Sequence, residues 1–420
     1  MQRIEIENFG PIKNVAFDIK DYTVFIGPQA SGKSTIARAV YFFRTLDEEL
    51  CSAISLSAPD CRKEEIISTF KESITRKALT IWDTVFWSSK AMLRFHYNDD
   101  LSITISQAES GEILISLTSG WNELFSRVEH ILHHVQNEQG EKLIKIYDAP
   151  LLRGIAGQLV SNLFPFPNGR PAFIPAGRIL FSCVEDNLIS REQELADVLV
   201  ARFFDFCKFV KRKYKLQMKL VLHSRKKIDS STIDKIFSLS RAILGGTIEF
   251  TNDKCHLSLP SQEGLIQIAD ASSGQQEAVW ILLYVMYHCY LDVAGFFTVI
   301  EEPEAHLFPN AQRNMMYLLT LLANQSENQL MLTTHSPYIL TPLNNLLLAH
   351  HVGQSKRETV GQIVDPDLWI DPERFECYYV DYGTISSVMD RNTGMIDLAG
   401  LDAVSSTLND QYDQLAALED

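Results

Sequence analysis

Apolar positions in the first fifty residues alternate and then change period. Gln2 to Glu7 alternates as a strand, Asn8-Phe9-Gly10-Pro11 turns the chain, and a second strand follows near Val15 to Ile19. Tyr22 to Ile26 is a short apolar run leading into a Gly-rich loop, after which the pattern predicts a helix from Lys33 to about Leu50. Between Ala91 and Leu117 the runs AMLRFHY, LSITIS and EILISL are separated by Asn98-Asp99-Asp100 and Ser110-Gly111, the grammar of an antiparallel arm. Trp121 to Gln139 then places Leu124, Phe125, Val128, Ile131, Leu132 and Val135 on one helical face.

The second half reads differently. Pro165, Pro167 and Pro171 interrupt the chain before the short apolar run Ala172 to Ala176, and Arg178 follows that run. A lobe boundary is expected there. Ser190 to Tyr214 and Ser231 to Leu244 are helix-like, with Gly245-Gly246 placed to cap the second, and Thr247 to Ala269 returns to short strands. Gln275 to Leu291, Phe296 to Ile300, Ala311 to Ala323 and Leu330 to Thr333 alternate helix, strand, helix, strand, as α/β proteins do. The expected organisation is therefore 1–175, 176–270 with a basic insertion, 271–350, and an extension over 351–420.

Composition narrows the class. With 420 residues and 46% hydrophobic content the chain can bury a large core. Seven widely spaced cysteines without a C-x-x-C pair fit a reduced, cytoplasmic protein with no zinc site. The alternating, charged N-terminus lacks the apolar stretch of a signal peptide. Ala278 to Ile300 imitates a transmembrane span, but it is flanked by Glu277, Glu301 and Glu302 and divides at Asp292 to Gly295, so a buried helix followed by a buried strand is expected and no membrane partner. His130, His133 and His134 have no acidic or Cys partner nearby and read as a solvated face. A net charge of −15 opposes general attraction to nucleic acid. Any DNA contact must be local, and Lys208 to Lys227, rich in Lys and Arg without an acid, is the candidate for DNA or an acidic partner.

The chemistry concentrates in four places. Gly27-Pro28-Gln29-Ala30-Ser31-Gly32-Lys33-Ser34-Thr35 matches G-x-x-x-x-G-K-[ST] between a strand and a helix. In that context backbone N–H groups wrap a β-phosphate, Lys33 reaches the β- and γ-phosphates, and Ser34 offers a hydroxyl to Mg²⁺. Phe296 to Glu302 is a buried strand ending in two carboxylates: Glu301 is placed to hold Mg²⁺, directly or through water, and Glu302 to polarise an attacking water. Ser272-Ser273-Gly274, ahead of the buried helix, puts small residues and N–H donors at a helix N-terminus. His335 follows the strand Leu330 to Thr334, where an imidazole can donate to a γ-phosphate.

These segments, in this order, resemble a known family. The opening I-E-I-E-N-F-G-P-I-K, the G-P-Q-A-S-G-K-S-T loop, S-S-G-Q-Q, E-E-P-E-A-H-L-F-P and T-T-H-S-P are similar to the ATPase domains of OLD-type proteins and their relatives, including RecF. The resemblance implies an α/β fold: an ABC-type ATPase head with an antiparallel β-arm, a helical signature lobe and a short C-terminal α+β extension. It implies ATP and Mg²⁺ as ligands, Ser272, Ser273 and Gly274 as a signature offered to a second copy, and homodimers or larger assemblies. OLD nucleases continue into a metal-binding TOPRIM domain, whereas only 85 residues follow His335 here, and Asp365-Pro366-Asp367 reads as a turn. The chain therefore resembles stand-alone ATPase subunits of two-gene antiphage defence systems such as PARIS and Septu, which implies a separate effector protein. A DNA-repair ATPase acting directly on DNA is the second expectation, and a transporter subunit, which the altered signature and the basic insertion disfavour, the third.

Overall fold

The computed structural model describes residues 2–57, 62–139, 157, 171–183, 197–221, 230–251, 254–261, 263–291, 295–324, 328–398 and 403–416. Among the described residues the strands are β1 (Arg3–Phe9), β2 (Ile12–Asp18), β3 (Tyr22–Ile26), β4 (Met92–His96), β5 (Ser102–Gln107), β6 (Ile113–Leu117), β7 (Ala172–Ile174), β8 (Thr247–Thr251), β9 (Lys254–Ser258), β10 (Leu265–Gln267), β11 (Phe297–Glu301), β12 (Gln329–Thr334), β13 (Phe375–Asp381), β14 (Thr384–Ser387), β15 (Met389–Asp390) and β16 (Met395–Ile396). The described α-helices from Lys33 to Leu291 are α1 (Lys33–Arg44), α2 (Leu46–Leu56), α3 (Lys63–Ile81), α4 (Ser119–Gln139), α5 (Ile179–Cys183), α6 (Val198–Val221), α7 (Ser230–Leu244) and α8 (Ser273–Leu291).

Among the described residues an 11-stranded sheet organises the fold, in the order β6-β5-β4-β1-β2-β14-β13-β3-β12-β11-β7. From β13 to β7 neighbouring strands run parallel. From β6 to β2 they run antiparallel, which is the expected arm. The fold is thus α/β with a P-loop core and an antiparallel arm, as the alternation of periods implied. The strands β3 and β11 are buried on both faces, which explains their unbroken apolar runs.

Helix α8 is buried nearly all round, so the stretch that imitates a membrane span is a core helix followed by strand β11. Among the described residues no helix is long and apolar enough to cross a membrane. Helix α7 ends at Gly245, whose φ of 65° is the left-handed cap expected of it. Helix α4 buries Leu124, Phe125, Val128 and Leu132 and leaves His130, His133 and His134 exposed, so the histidines line a solvated face. Asp365 accepts the Asp367 N–H, and both carboxylates hold Lys235 at 2.6 Å, so this pair is a turn. Residues 190–196 of the expected Ser190 to Tyr214 helix lie outside the described residues, as do Pro165 and Pro167; α6 covers the part from Val198 on.

The segment read as a C-terminal extension has a larger part in the fold. Strand β13 lies between β3 and β14, with Tyr379 level with Ile26, and β14 joins β2 through the pair Thr384 and Asn14. Strands β13 and β14 therefore stitch the arm to the P-loop core.

Candidate nucleotide site

The parallel strands bring their C-terminal ends to one edge: Ile26 of β3 is level with Thr334 of β12, and Thr333 with Glu301 of β11. Such an edge is where α/β sheets hold ligands. The loop 27–32 leaves β3 there and Lys33 opens α1. Two glycines are required by their surroundings. A Cβ on Gly27 would stand 2.1 Å from the Val380 carbonyl oxygen, and one on Gly32, at φ 107°, 2.4 Å from Ile12 Cδ1. Ala30 also holds a positive φ of 57°. Pro28, Gln29, Ala30 and Ser34 are exposed, while Ser31, Gly32, Lys33 and Thr35 are buried. The loop thus presents an open rim over a packed base.

Lys33, Glu302 and His335, far apart in sequence, meet here. The Lys33 ammonium donates to the Gly27 carbonyl at 2.9 Å and the Pro28 carbonyl at 2.6 Å, and lies 3.3 Å from His335 Nδ1. His335 Nε2 lies 3.3 Å from Glu302 Oε1. Because an ammonium can only donate, Nδ1 must accept and the ring proton sits on Nε2, pointing at Glu302. Burial and the Lys33 charge lower the His335 pKa, which keeps this neutral tautomer at physiological pH. Glu302 occupies a φ of 44°, a strained value for a non-glycine residue, and its N–H bonds the Thr333 carbonyl at 2.8 Å. Strand β11 thus ends by turning the Glu302 side chain to the P-loop.

Glu301 has different partners. It is buried, Oε2 accepts the Ala176 N–H at 3.2 Å, and Oε1 is buried without a partner. An orphaned carboxylate oxygen with the exposed Ser34 hydroxyl on the same sheet edge fits a hard cation that also binds phosphate oxygens. Among the described residues no cluster of three or more His, Cys, Asp or Glu forms a protein-only metal cage.

Ser272, Ser273 and Gly274 sit elsewhere. Ser272 and Ser273 are exposed at the start of α8. The Ser272 N–H and hydroxyl both donate to Gln275 Oε1, and Gln275 reaches the Leu244 carbonyl at 2.7 Å. A Cβ on Gly274 would stand 2.5 Å from the His306 carbonyl oxygen, so this glycine is fixed by packing within the chain.

The sequence reading assigned no role to Arg178 or Glu304. Arg178 is fully buried; Nη1 donates to the Pro175 and Glu301 carbonyls at 2.7 and 2.6 Å, Nη2 to the Glu302 carbonyl at 2.7 Å, and Nε pairs with Glu277 of α8 at 3.1 Å. One guanidinium therefore ties the backbone of both acids to the first turns of α8. Removing either partner of such a pair leaves a buried charge and costs about 3–5 kcal/mol. Glu304, raised in pKa by burial, accepts the Thr334 hydroxyl at 2.5 Å and the His335 N–H at 3.3 Å, which orients His335. A lone Arg just after a buried strand and the E-x-E spacing were the available signals.

A Gly-rich loop between β3 and α1, a buried strand ending in two acids and a histidine bridging the two define a P-loop nucleoside-triphosphate-binding protein. The chain belongs to the AAA ATPase domain family, whose model matches residues 1–149 and 178–340. No curated protein matches the sequence significantly. Among solved structures it is similar to an SMC head bound to the C-winged helix domain of ScpA, at 12% identity and TM-score 0.47, over 93% of this chain and 98% of that one. It is also similar to the SMC head domain from Thermotoga maritima (10%, TM-score 0.38, 92% and 97%). A third is an SMC head with an extended coiled coil bound to the C-terminal domain of ScpA from Pyrococcus furiosus (12%, TM-score 0.38, 92% and 96%).

The site carries its own pH signature. Burial lowers the Lys33 pKa to about 8, against the opposing pull of Glu302 and Glu304. A bound polyphosphate favours the ammonium and raises that pKa. Below pH 8 the ammonium already exists and ATP affinity should be flat. Above it, binding must take up a proton, so affinity should fall by up to about tenfold per pH unit. Calorimetry near pH 9 in two buffers of different ionisation enthalpy should detect the uptake, and Lys33→Arg should abolish it.

Proposed function

We propose that this chain is a Mg²⁺-dependent ATPase whose sites are completed between two copies, and that its ATP-bound assembly controls a separate effector protein in bacterial antiphage defence. The observation that carries the ATPase reading is the Lys33–His335–Glu302 relay at the mouth of the P-loop. In it, backbone N–H groups of residues 27–35 and Lys33 bind the β- and γ-phosphates, His335 reports the γ-phosphate, and Glu302 polarises the attacking water. Ser34 and Glu301 would hold Mg²⁺, which when bound supplies positive charge to the phosphate oxygens.

Sharing of sites is supported by the exposed N-terminus of α8, where Ser272 and Ser273 lie at the surface and a neighbour's phosphate could approach Ser273. Control of an effector rests on the motif resemblance. Direct action on DNA comes second. In the candidate basic segment Lys208 lies over the Phe204 ring at 4.4 Å and Lys211 over the Trp280 ring at 5.3 Å, so both stems are packed on the chain's own core. The side chains of Arg212, Lys213, Lys215 and Lys219, and all of Arg225, Lys226 and Lys227, lie outside the described residues.

Phosphate release from ATP by the purified chain tests the ATPase reading: wild type should release phosphate only with Mg²⁺, and Lys33→Ala should fall to background. No release at any assembly state would refute it. Copurification of a nuclease or toxin with the ATP-loaded chain tests effector control, whereas steeply salt-dependent capture of duplex DNA by the chain alone would transfer the reading to DNA repair.

A further inference from the structure

The γ-phosphate-facing groups lie on one side of the P-loop strand: His335 follows β12 and Glu302 follows β11. A nucleotide with its γ-phosphate there can lead its sugar and base to the other side of β3, toward β13, β14 and β2. That side is formed by the hairpin joining β13 to β14. Asp381 pairs with Thr384, leaving Tyr382-Gly383 as a two-residue loop. The loop is seated against the site by backbone contacts: the Lys13 and Asn14 N–H groups donate to the Gly383 carbonyl at 2.8 and 3.2 Å. A Cβ on Gly383 would stand 2.3 Å from the Pro11 carbonyl oxygen, while Pro11 and Ile12 press on Gly32 from the other side. A single turn, Pro11 to Lys13, thus separates the hairpin tip from the phosphate loop.

Tyr382 is an odd residue for this turn. Both loop residues have positive φ, 45° and 75°, the condition under which Asn-Gly is the favoured pair. A bulky aromatic there is strained, and Tyr382 gains no burial in return, being 78% exposed with the Lys13 ammonium 6.0 Å from its ring centroid. A local rule broken without a packing gain is the mark of a functional position. We propose that Tyr382 stacks on the base of the bound nucleoside triphosphate, so that the hairpin of β13 and β14 completes the nucleotide site. The proposal rests on residues 27–35 being the phosphate site. An aromatic face takes any base through its π-surface and leaves the phosphates to the loop.

Calorimetric titration of the full chain with ATP and with inorganic tripolyphosphate separates the contributions. Asn tolerates the turn, so Tyr382→Asn removes the ring without loosening the hairpin, and thermal melting should confirm an unchanged or raised Tm. ATP affinity should drop roughly tenfold or more in Tyr382→Asn and stay within about twofold in Tyr382→Phe, while tripolyphosphate binds all three proteins alike. Lys33→Ala should lose both ligands. Unchanged ATP affinity in Tyr382→Asn, or equal loss of ATP and tripolyphosphate, would overturn the stacking role while leaving the phosphate site standing. A wild-type chain that binds neither ligand would overturn both.

Discussion

Glu302→Gln is expected to slow ATP hydrolysis by about 10²–10⁴-fold, the usual contribution of a positioned general base, while ATP affinity changes little. The geometry separates the two effects. Binding belongs to the P-loop backbone and to Lys33, whose ammonium bonds the Gly27 and Pro28 carbonyls. The Glu302 side chain meets this machinery through the ring of His335, with a charge interaction that reaches Lys33. An amide in its place can still accept from Nε2–H but has no charge with which to polarise water, so the variant should accumulate in its ATP-bound assembly. Turnover at the wild-type rate would remove Glu302 from the reaction and leave Glu304, buried against Thr334 and His335, as the acid to examine.

Much of the framework is legible in local periodicity. Strict alternation produced the arm, unbroken apolar runs produced the parallel strands, and the loop of residues 27–35 is recognisable because its glycines and Lys33 stand between a strand and a helix. Two features are not legible, for a shared reason. Strand β13 pairs with β3 across some three hundred and fifty residues of chain, and nothing in F-E-C-Y-Y-V-D says which edge it will join. Arg178 and Glu277 likewise become a pair only when β7 and α8 close on one another. Non-local pairing is a property of the folded sheet, and a one-dimensional pattern does not encode it. The strained backbone at Glu302 falls in the same class, because it follows from the bond to Thr333 on the neighbouring strand.

The largest expected effect concerns the sharing of sites between copies. Lys33→Ala disables a chain's own cradle, and Ser273→Arg places a bulky cation on the α8 terminus it offers to a neighbour. Ser273 is the suitable position because it is exposed, whereas any side chain at Gly274 would collide with the His306 carbonyl and damage the chain itself. Each variant alone should be inactive, since both sites of either homodimer carry one defect. In a mixed dimer one site collects both defects and the other joins an intact loop to an intact signature.

The most direct measurement is therefore ATP turnover, with nucleotide trapped per dimer, for differently tagged Lys33→Ala and Ser273→Arg chains copurified as mixed dimers. Random pairing makes half the dimers mixed with half their sites whole, so the unfractionated mixture should recover roughly a quarter of wild-type activity, and the purified mixed dimer about half, under twofold symmetry. Mixed dimers that neither trap nor hydrolyse ATP above the single variants would contradict the shared site, and Ser272 to Gly274 would then be only the cap of a buried helix.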